Sequence, residues 1–174
     1  MENEVLKNIY TRCSVKKYKS DMPSDELIDA VVKAGTCAAT GKNAQAPIIL
    51  RITNKEVRDN LSKINAGVMG RDDIDPFYNA PVVLVVLAKK DVFTHVYDGS
   101  IVMANMMLAA HSLGLGSCWI HRAKEEFETE YGKNLLKSLG INDDSEGIGN
   151  LVLGYSDMDA KAKPRKDNWV YEIK

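Results

Sequence analysis

The order of elements predicts a mixed β-sheet covered by helices on both sides. Three observations carry that expectation. Pro81 is followed by Val82-Val83-Leu84-Val85-Val86-Leu87, a run apolar on both faces, which is the pattern of a central strand covered twice. Helical and strand patterns alternate from Ile48 onward. Two helical patterns come before any strand, and that leading pair does not suit a regular doubly wound sheet.

The elements follow in order. Val5, Leu6 and Ile9 lie at helical spacing, which predicts a first helix over 3–11. Pro23-Ser24 opens a second helix, with Ser24 as N-cap and Leu27, Ile28, Val31 and Val32 as its apolar stripe. Residues 35–46 are small and polar, without an apolar period, and read as a loop. Ile48-Ile49-Leu50-Arg51-Ile52 is short and β-branched, the signature of a strand. Thr53-Asn54 can cap a helix running to about Ile64, and 65–79 reads as a long connection rich in Gly, Asp and Pro. After the central strand, residues 99–113 are apolar almost all round and predict a buried helix ended by Gly114-Leu115-Gly116. Ser117–Ile120 is the next strand. Phe127, Tyr131, Leu135, Leu136 and Leu139 mark one amphipathic helix over 123–139, closed by Gly140. Ile148–Tyr155 is the last core strand. The tail 156–174 is polar apart from Trp169, Val170 and Ile173.

Size and composition narrow the function classes. The 174 residues suit a single domain spanning 1–174, with no composition break and no internal repeat. Net charge is -1 and the pI is about 6.3, so no nucleic-acid partner is expected. Cys13, Cys37 and Cys118 are odd in number and form no C-x-x-C pair, which argues against a disulfide scaffold and a structural zinc site. The start, MENEVLKNIY, is acidic and amphipathic, and no apolar stretch is long enough to span a bilayer. A reducing cytoplasm is the expected compartment, without a membrane partner.

The candidate chemistry begins with Arg12-Cys13-Ser14-Val15-Lys16-Lys17-Tyr18, a basic turn with a hydroxyl. A second basic pair, Lys163 and Arg165, lies near the far end. A chain of near-zero net charge gains nothing general from cations clustered at both ends. A dianionic phosphate held where the ends meet would explain them, since Arg offers a planar fork of donors and Lys a mobile point charge. Thr40-Gly41-Lys42 is no P-loop: the upstream Gly and the following Ser/Thr are absent, and the strand comes after the loop. Gly114-Leu115-Gly116 ends a helix and is no dinucleotide fingerprint. His95, His111 and His121 lack metal-ligand spacing, and no metal is expected. His111 reads as a hydrogen-bonded core residue and His121 as a surface residue beyond a strand end. No Ser-His-Asp set is recognisable. Cys118, between apolar residues, reads as inert packing. Cys13, among cations, is either a reactive thiol or a small residue beside a phosphate. Phosphate-ready groups without an acid–base or nucleophilic set suit a protein whose cofactor carries the chemistry.

At these residues the chain resembles the nitroreductase family of flavin enzymes. Arg12, Ser14, Lys16 and Tyr18 match its R-x-S-x-[RK]-x-[FY] signature. Asn43-Ala44-Gln45 is similar to its N-x-Q motif, Leu113 to Trp119 to its L-G-L-G-[ST]-x-W stretch, and Lys163-Pro164-Arg165 to its K-x-R clamp. The four fall in the family's order along essentially the whole chain. The resemblance implies an α+β fold: a mixed sheet flanked by helices, in a single-domain protomer of an intertwined homodimer with FMN at the interface. It implies that Arg12, Ser14 and Lys16 hold the FMN phosphate and ribityl chain, with Cys13 adjacent, and that Lys163 and Arg165 complete the phosphate site. Asn43 and Gln45 would reach the flavin of the partner subunit. The backbone around Ile120, His121 and Arg122 would lie near flavin N5. NAD(P)H, as NADH or NADPH, would deliver hydride to N5 and leave; a small electron-poor acceptor such as a nitroaromatic or quinone would then take its place. No catalytic side chain is implied. The chain departs from the family in three ways. Pro47 stands one position late after Gln45, with no aromatic following. Lys16 stands where Arg is common. There is no room for a large helical lid. Two rival readings remain: a same-fold flavin-handling protein that does not turn over NAD(P)H, and a non-enzymatic phosphate- or nucleotide-binding module.

Overall fold

The computed structural model describes residues 3–174. The elements are α1 (Glu4–Thr11), α2 (Asp25–Thr36), β1 (Pro47–Ile52), α3 (Lys55–Val68), β2 (Val82–Lys89), α4 (His95–Ser112), β3 (Gly116–Ile120), α5 (Ala123–Glu128), α6 (Glu130–Ser138) and β4 (Ser145–Gly154). The expected caps are in place. The Ser24 hydroxyl accepts from Leu27 N–H and the Asn54 side chain from Val57 N–H, each satisfying one donor that a helix start leaves unpaired. Gly114 and Gly140, both at φ +75°, turn the chain out of α4 and α6.

The sheet order is β1-β2-β4-β3, with every neighbouring pair antiparallel. The expectation of a mixed sheet therefore holds in a restricted sense. The parallel pairing described is one isolated bridge, Ser14 to Ser117. β2 and β3 do run in the same direction across the α4 crossover, but β4 is inserted between them. β1 and β2 are antiparallel because α3 and the long 69–81 connection return the chain to the end it left: Ile52 pairs with Val83.

β2 is central, and its alternation divides the core. Val83, Val85 and Leu87 face one cluster with Leu61, Phe77, Phe127 and Val152. Val82, Leu84, Val86 and Ala88 face the other, with Ile28, Val31, Met103, Met106 and Leu153. Helices α3 and α5 thus cover one face, and α2 and α4 the other.

Two expectations are corrected. Helix α4 is buried on one face, along Val102, Met103, Met106 and Ala110, while Tyr97 is 69% and Ile101 42% exposed. Its all-round apolar composition therefore exceeds what this chain alone covers. The single helix over 123–139 is two helices that meet at Thr129, whose ψ of 161° is extended. Its hydroxyl donates to Glu126 O at 2.6 Å and accepts from Gly132 N–H at 3.1 Å, closing one helix and opening the next. Gly132 is required there, because a Cβ would lie 2.4 Å from Glu126 O.

Candidate functional site

The basic segment runs extended along the β3 edge. Ser14 bridges Ser117, Val15 N–H donates to Ser117 O at 3.0 Å, and buried Tyr18 donates its phenol to Val15 O at 2.8 Å. Burial, with lesser contributions from Cys118 and Tyr78, holds that phenol far above its ordinary pKa, so it remains a donor. The two ends of the chain do meet. Lys19 N–H donates to Tyr155 O, Asp157 N–H to Lys17 O, and Lys17 pairs with Asp157 at 2.7 Å.

The segment is a ridge between two clefts. One, of about 510 Å³, has Ser14 and Lys16 on one wall, Cys118 to Arg122 along its floor, and Met69, Ile74 and Tyr78 opposite. The other, of about 280 Å³, is lined by Arg12, Cys13, His111, Gly114 to Ser117 and the start of the tail. A third hollow, about 340 Å³ between α2, β1 and α4, is mostly apolar, and Gln45 reaches its rim. The two clefts beside the ridge carry Arg12, Lys16, Arg122 and the end of β3.

Arg12 ends α1, and its Nη1 is buried with no hydrogen-bond partner in the described structure. Burying a guanidinium nitrogen unpaired is costly, and an anion seated in the cleft would satisfy it. His111 is a correction to the core reading. It is half-buried, touches Thr11 Oγ1 at 2.8 Å and lines the Arg12 cleft. Burial first, and then the Arg12 charge, pull its imidazole below the ordinary value. Cys118 is buried, and burial pushes its thiol up against the opposing pull of Ser14, Lys16 and Arg12, which disfavours the thiolate.

The strand end is built from three elements. Exposed His121 and left-handed Arg122 (φ +78°) turn the chain from β3 into α5. Asn65 of α3 donates to His121 O at 2.7 Å and accepts from Arg122 Nη1 at 3.4 Å. The same Asn65 amide donates to Glu126 Oε1, which also receives Asn150 Nδ2 at 2.9 Å. Asn65, Glu126 and Asn150 are wholly buried. Burial pushes the Glu126 carboxyl up to about 8, although both Asn hydrogen bonds oppose the shift. Sequence reasoning missed this hub. Asn65 fell in the stretch read as a connection, and nothing local marks a Glu in an amphipathic helix as buried.

The cleft wall opposite the ridge is pinned by Asp75. It accepts from Arg58, Ser62, Phe77 N–H (2.9 Å) and Asn79 N–H (2.6 Å), while Arg58 lies over the Phe77 ring at 5.6 Å. Burial alone would raise the Asp75 carboxyl; the Arg58, Ser62 and Asn79 contacts outweigh it and hold it below its ordinary value. This pin was not legible in the sequence either.

Other expected site residues are not gathered here. Lys163 and Arg165 are exposed in the irregular tail and line neither cleft. Asn43 and Gln45 sit on an exposed loop, joined by Gln45 Nε2 to Asn43 Oδ1 at 3.1 Å. Lys42, Asn43 and Gln45 all have φ near +50°. These left-handed residues, with right-handed Ala44 between Asn43 and Gln45, store strain that the loop's anchors must hold, through Gln45 N–H to Thr40 and Gly41 N–H to Asp98. Among the described residues, no group of three or more His, Cys, Asp or Glu could hold a metal, and no helix is long and apolar enough to cross a membrane.

Fold and site together define an α+β protein with basic clefts at the edge of its sheet. A model of the Nitroreductase family matches residues 9–155, and the chain belongs to that family. It is 31% identical to two proteins named "Putative NADH dehydrogenase/NAD(P)H nitroreductase". The one from Archaeoglobus fulgidus matches over 87% of this chain and 85% of its own length. The one from Methanothermobacter thermautotrophicus matches over 67% of this chain, which spans only 60% of that protein. Among solved structures, a nitroreductase with bound FMN from Bacteroides fragilis shares the fold, with a TM-score of 0.90, 24% identity and coverage of 99% and 100% of the two chains. An FMN-dependent nitroreductase of Clostridium difficile is 26% identical, with a TM-score of 0.79 and coverage of 97% and 98%.

Proposed function

We propose that this chain is an FMN-dependent oxidoreductase that moves hydride from NAD(P)H to a nitroaromatic, quinone or similar electron-poor acceptor, by alternating occupancy of one site. The observation that carries the reading is the buried, unpartnered Arg12 Nη1 on the ridge that also bears Ser14 and Lys16. It fits a phosphate-bearing cofactor, and the names of the relatives supply which one. Bound FMN supplies two-electron chemistry at its N5.

The chain supplies the rest. Arg12, Ser14 and Lys16 bind the phosphate and ribityl groups, with Cys13 beside them. Lys163 and Arg165 swing in from the tail to complete the phosphate site. The backbone at Ile120, His121 and Arg122 offers fixed dipoles to the N5 edge, where charge develops on reduction. Asn43 and Gln45, which line neither cleft of their own protomer, reach the flavin of a partner in an intertwined homodimer. Two apolar surfaces support that assembly: the outer face of α4, and the tail, where Trp169 is 71% and Ile173 fully exposed. The protein works in the cytoplasm.

The protein is expected to purify as a yellow dimer with about one FMN per chain, and to oxidise NADH or NADPH when a quinone is added. The visible spectrum, light scattering at low micromolar concentration and the quinone assay check this. A colourless preparation that takes up no added FMN defeats the reading. A yellow protein without NAD(P)H turnover leaves a flavin-handling relative instead.

No side chain exchanges a proton or forms a bond with the substrates during turnover. His121→Ala and Cys13→Ser are therefore expected to keep the rate of flavin reduction, normalised to bound FMN, within about tenfold of the parent. A general acid or nucleophile contributes about a hundredfold or more. A thousandfold drop in either variant, measured by anaerobic rapid mixing, contradicts the assignment of the chemistry to the cofactor.

A further inference from the structure

We propose that Glu126 is a positioning residue held as a neutral carboxylic acid: its Oε2–H donates to Asn150 Oδ1, and through Asn65 it locks the His121–Arg122 turn. The inference rests on the functional reading above only in taking that turn as the edge that faces the cofactor.

The argument is a count of donors and acceptors. Asn65 Nδ2 has two hydrogens, and both are spent, one on His121 O and one on Glu126 Oε1. Asn65 Oδ1 accepts from Arg122. Asn150 Nδ2 donates to Glu126 Oε1 at 2.9 Å. Two buried atoms are then left without partners, Glu126 Oε2 and Asn150 Oδ1. If Glu126 were ionised, both would be acceptors with no donor between them, and the anion would be wholly buried. They are the second atoms of two groups already joined through Oε1 and Nδ2. One proton on Oε2 closes an acid–amide pair and satisfies both at once.

The surroundings agree. The charged groups facing Glu126 are Glu125, which disfavours a second negative charge, and Arg122, which favours it. From α3 it meets Asn65 and from β4 Asn150. From α6, Gly132 packs on its backbone, and β2, which packs on α5, is apolar and buried along Val82 to Ala88. Burial dominates and raises the carboxyl to about 8. The consequence for the site is mechanical and electrostatic. Asn65 is the only link among the described hydrogen bonds from His121 O to the hub, and it is oriented by the Glu126 acceptor. A carboxylate there would also place negative charge behind the edge that must stabilise negative charge on the cofactor.

The experiment compares the parent with Glu126→Gln, whose amide copies the neutral acid's acceptor and donor. An infrared difference spectrum at pH 7 is expected to show a protonated-carboxyl C=O band in the parent that the variant lacks. The unfolded-state value is about 4.5 and the folded one about 8. The parent's stability relative to E126Q is therefore greatest below about pH 4.5, falls as pH rises, and levels off above about pH 8. No band and a flat stability difference overturn the neutral acid. The positioning claim is read from FMN affinity against pH. It falls through about pH 8 in the parent, as the pair opens, and does not change there in E126Q. Parallel profiles in the two proteins overturn it. If neither protein binds FMN, the functional reading fails, while the infrared band and the stability profile still decide the proton.

Discussion

Arg12→Ala and Arg165→Ala each lower FMN affinity by about ten- to a hundredfold, whereas Lys89→Ala leaves it unchanged. A charge-assisted contact to phosphate contributes roughly 1.5–3 kcal/mol, which is that range of affinity. Arg12 has the stronger structural warrant, because its Nη1 is already desolvated and unpaired. Removing it costs the ligand contact without breaking any of the described side-chain hydrogen bonds. Arg165 tests something different. It is exposed and lines neither cleft, so a loss on its removal means that the tail folds over the phosphate when cofactor is present. Lys89 is the control because its ammonium is committed to Asp143 at 2.8 Å, at the end of β2. Fluorescence titration of apoprotein with FMN measures all three. Full affinity in both Arg variants removes the phosphate assignment, and equal losses in all three reduce it to general charge.

Asp75→Ala is expected to destabilise the fold by about 3 kcal/mol, the low end of the range for breaking a buried ion pair, since Arg58 is buried but Asp75 is only partly so. The low end applies because Asp59 also contacts Arg58, at 2.9 Å, and leaves it some compensation. For a chain of this size that corresponds to a melting temperature lower by roughly 6–12 °C. The effect has a pH signature. Asp75 is held below its ordinary value in the fold, so its contribution is complete above the unfolded carboxyl value and fades as pH falls through the folded one. Parent and variant should therefore converge in acid. Asp75 also fixes the backbone of Phe77 and Asn79, next to a cleft wall that includes Ile74 and Tyr78. A melting temperature within 2 °C of the parent at neutral pH, by about the same conversion, would show that Arg58 and the loop are held by other contacts.

How far the fold could be read depended on the range of the interaction that specified each element. Ser24 and Asn54 are caps because their side chains reach N–H groups three residues on, a relation visible in any stretch of sequence. Val82 to Leu87 declared a doubly covered strand through composition alone. Thr129 did not declare a break, because a Thr inside an amphipathic period is unremarkable until Gly132 is seen packed on Glu126 O. The site divides in the same way. The ridge from Arg12 to Tyr18 carries its own local signature. The hub of Asn65, Glu126 and Asn150 joins residues 61 and 24 positions apart, and no local pattern encodes that meeting.

By itself the sequence determined where most of the helices and strands lie, that β2 lies at the centre, and that a phosphate-bearing cofactor suits the basic ridge. These follow from period, capping and charge, which act within a few residues. Only the tertiary structure decided that the sheet neighbours are antiparallel, that α4 leaves an apolar face uncovered, that Asp75 pins the cleft wall, and that Glu126 is buried behind the strand end. Each of those depends on which distant groups are brought together and how much water is removed from between them. A carboxylate in an exposed helix and a carboxylic acid in a sealed hub share the same letter in the sequence. Desolvation is what separates them.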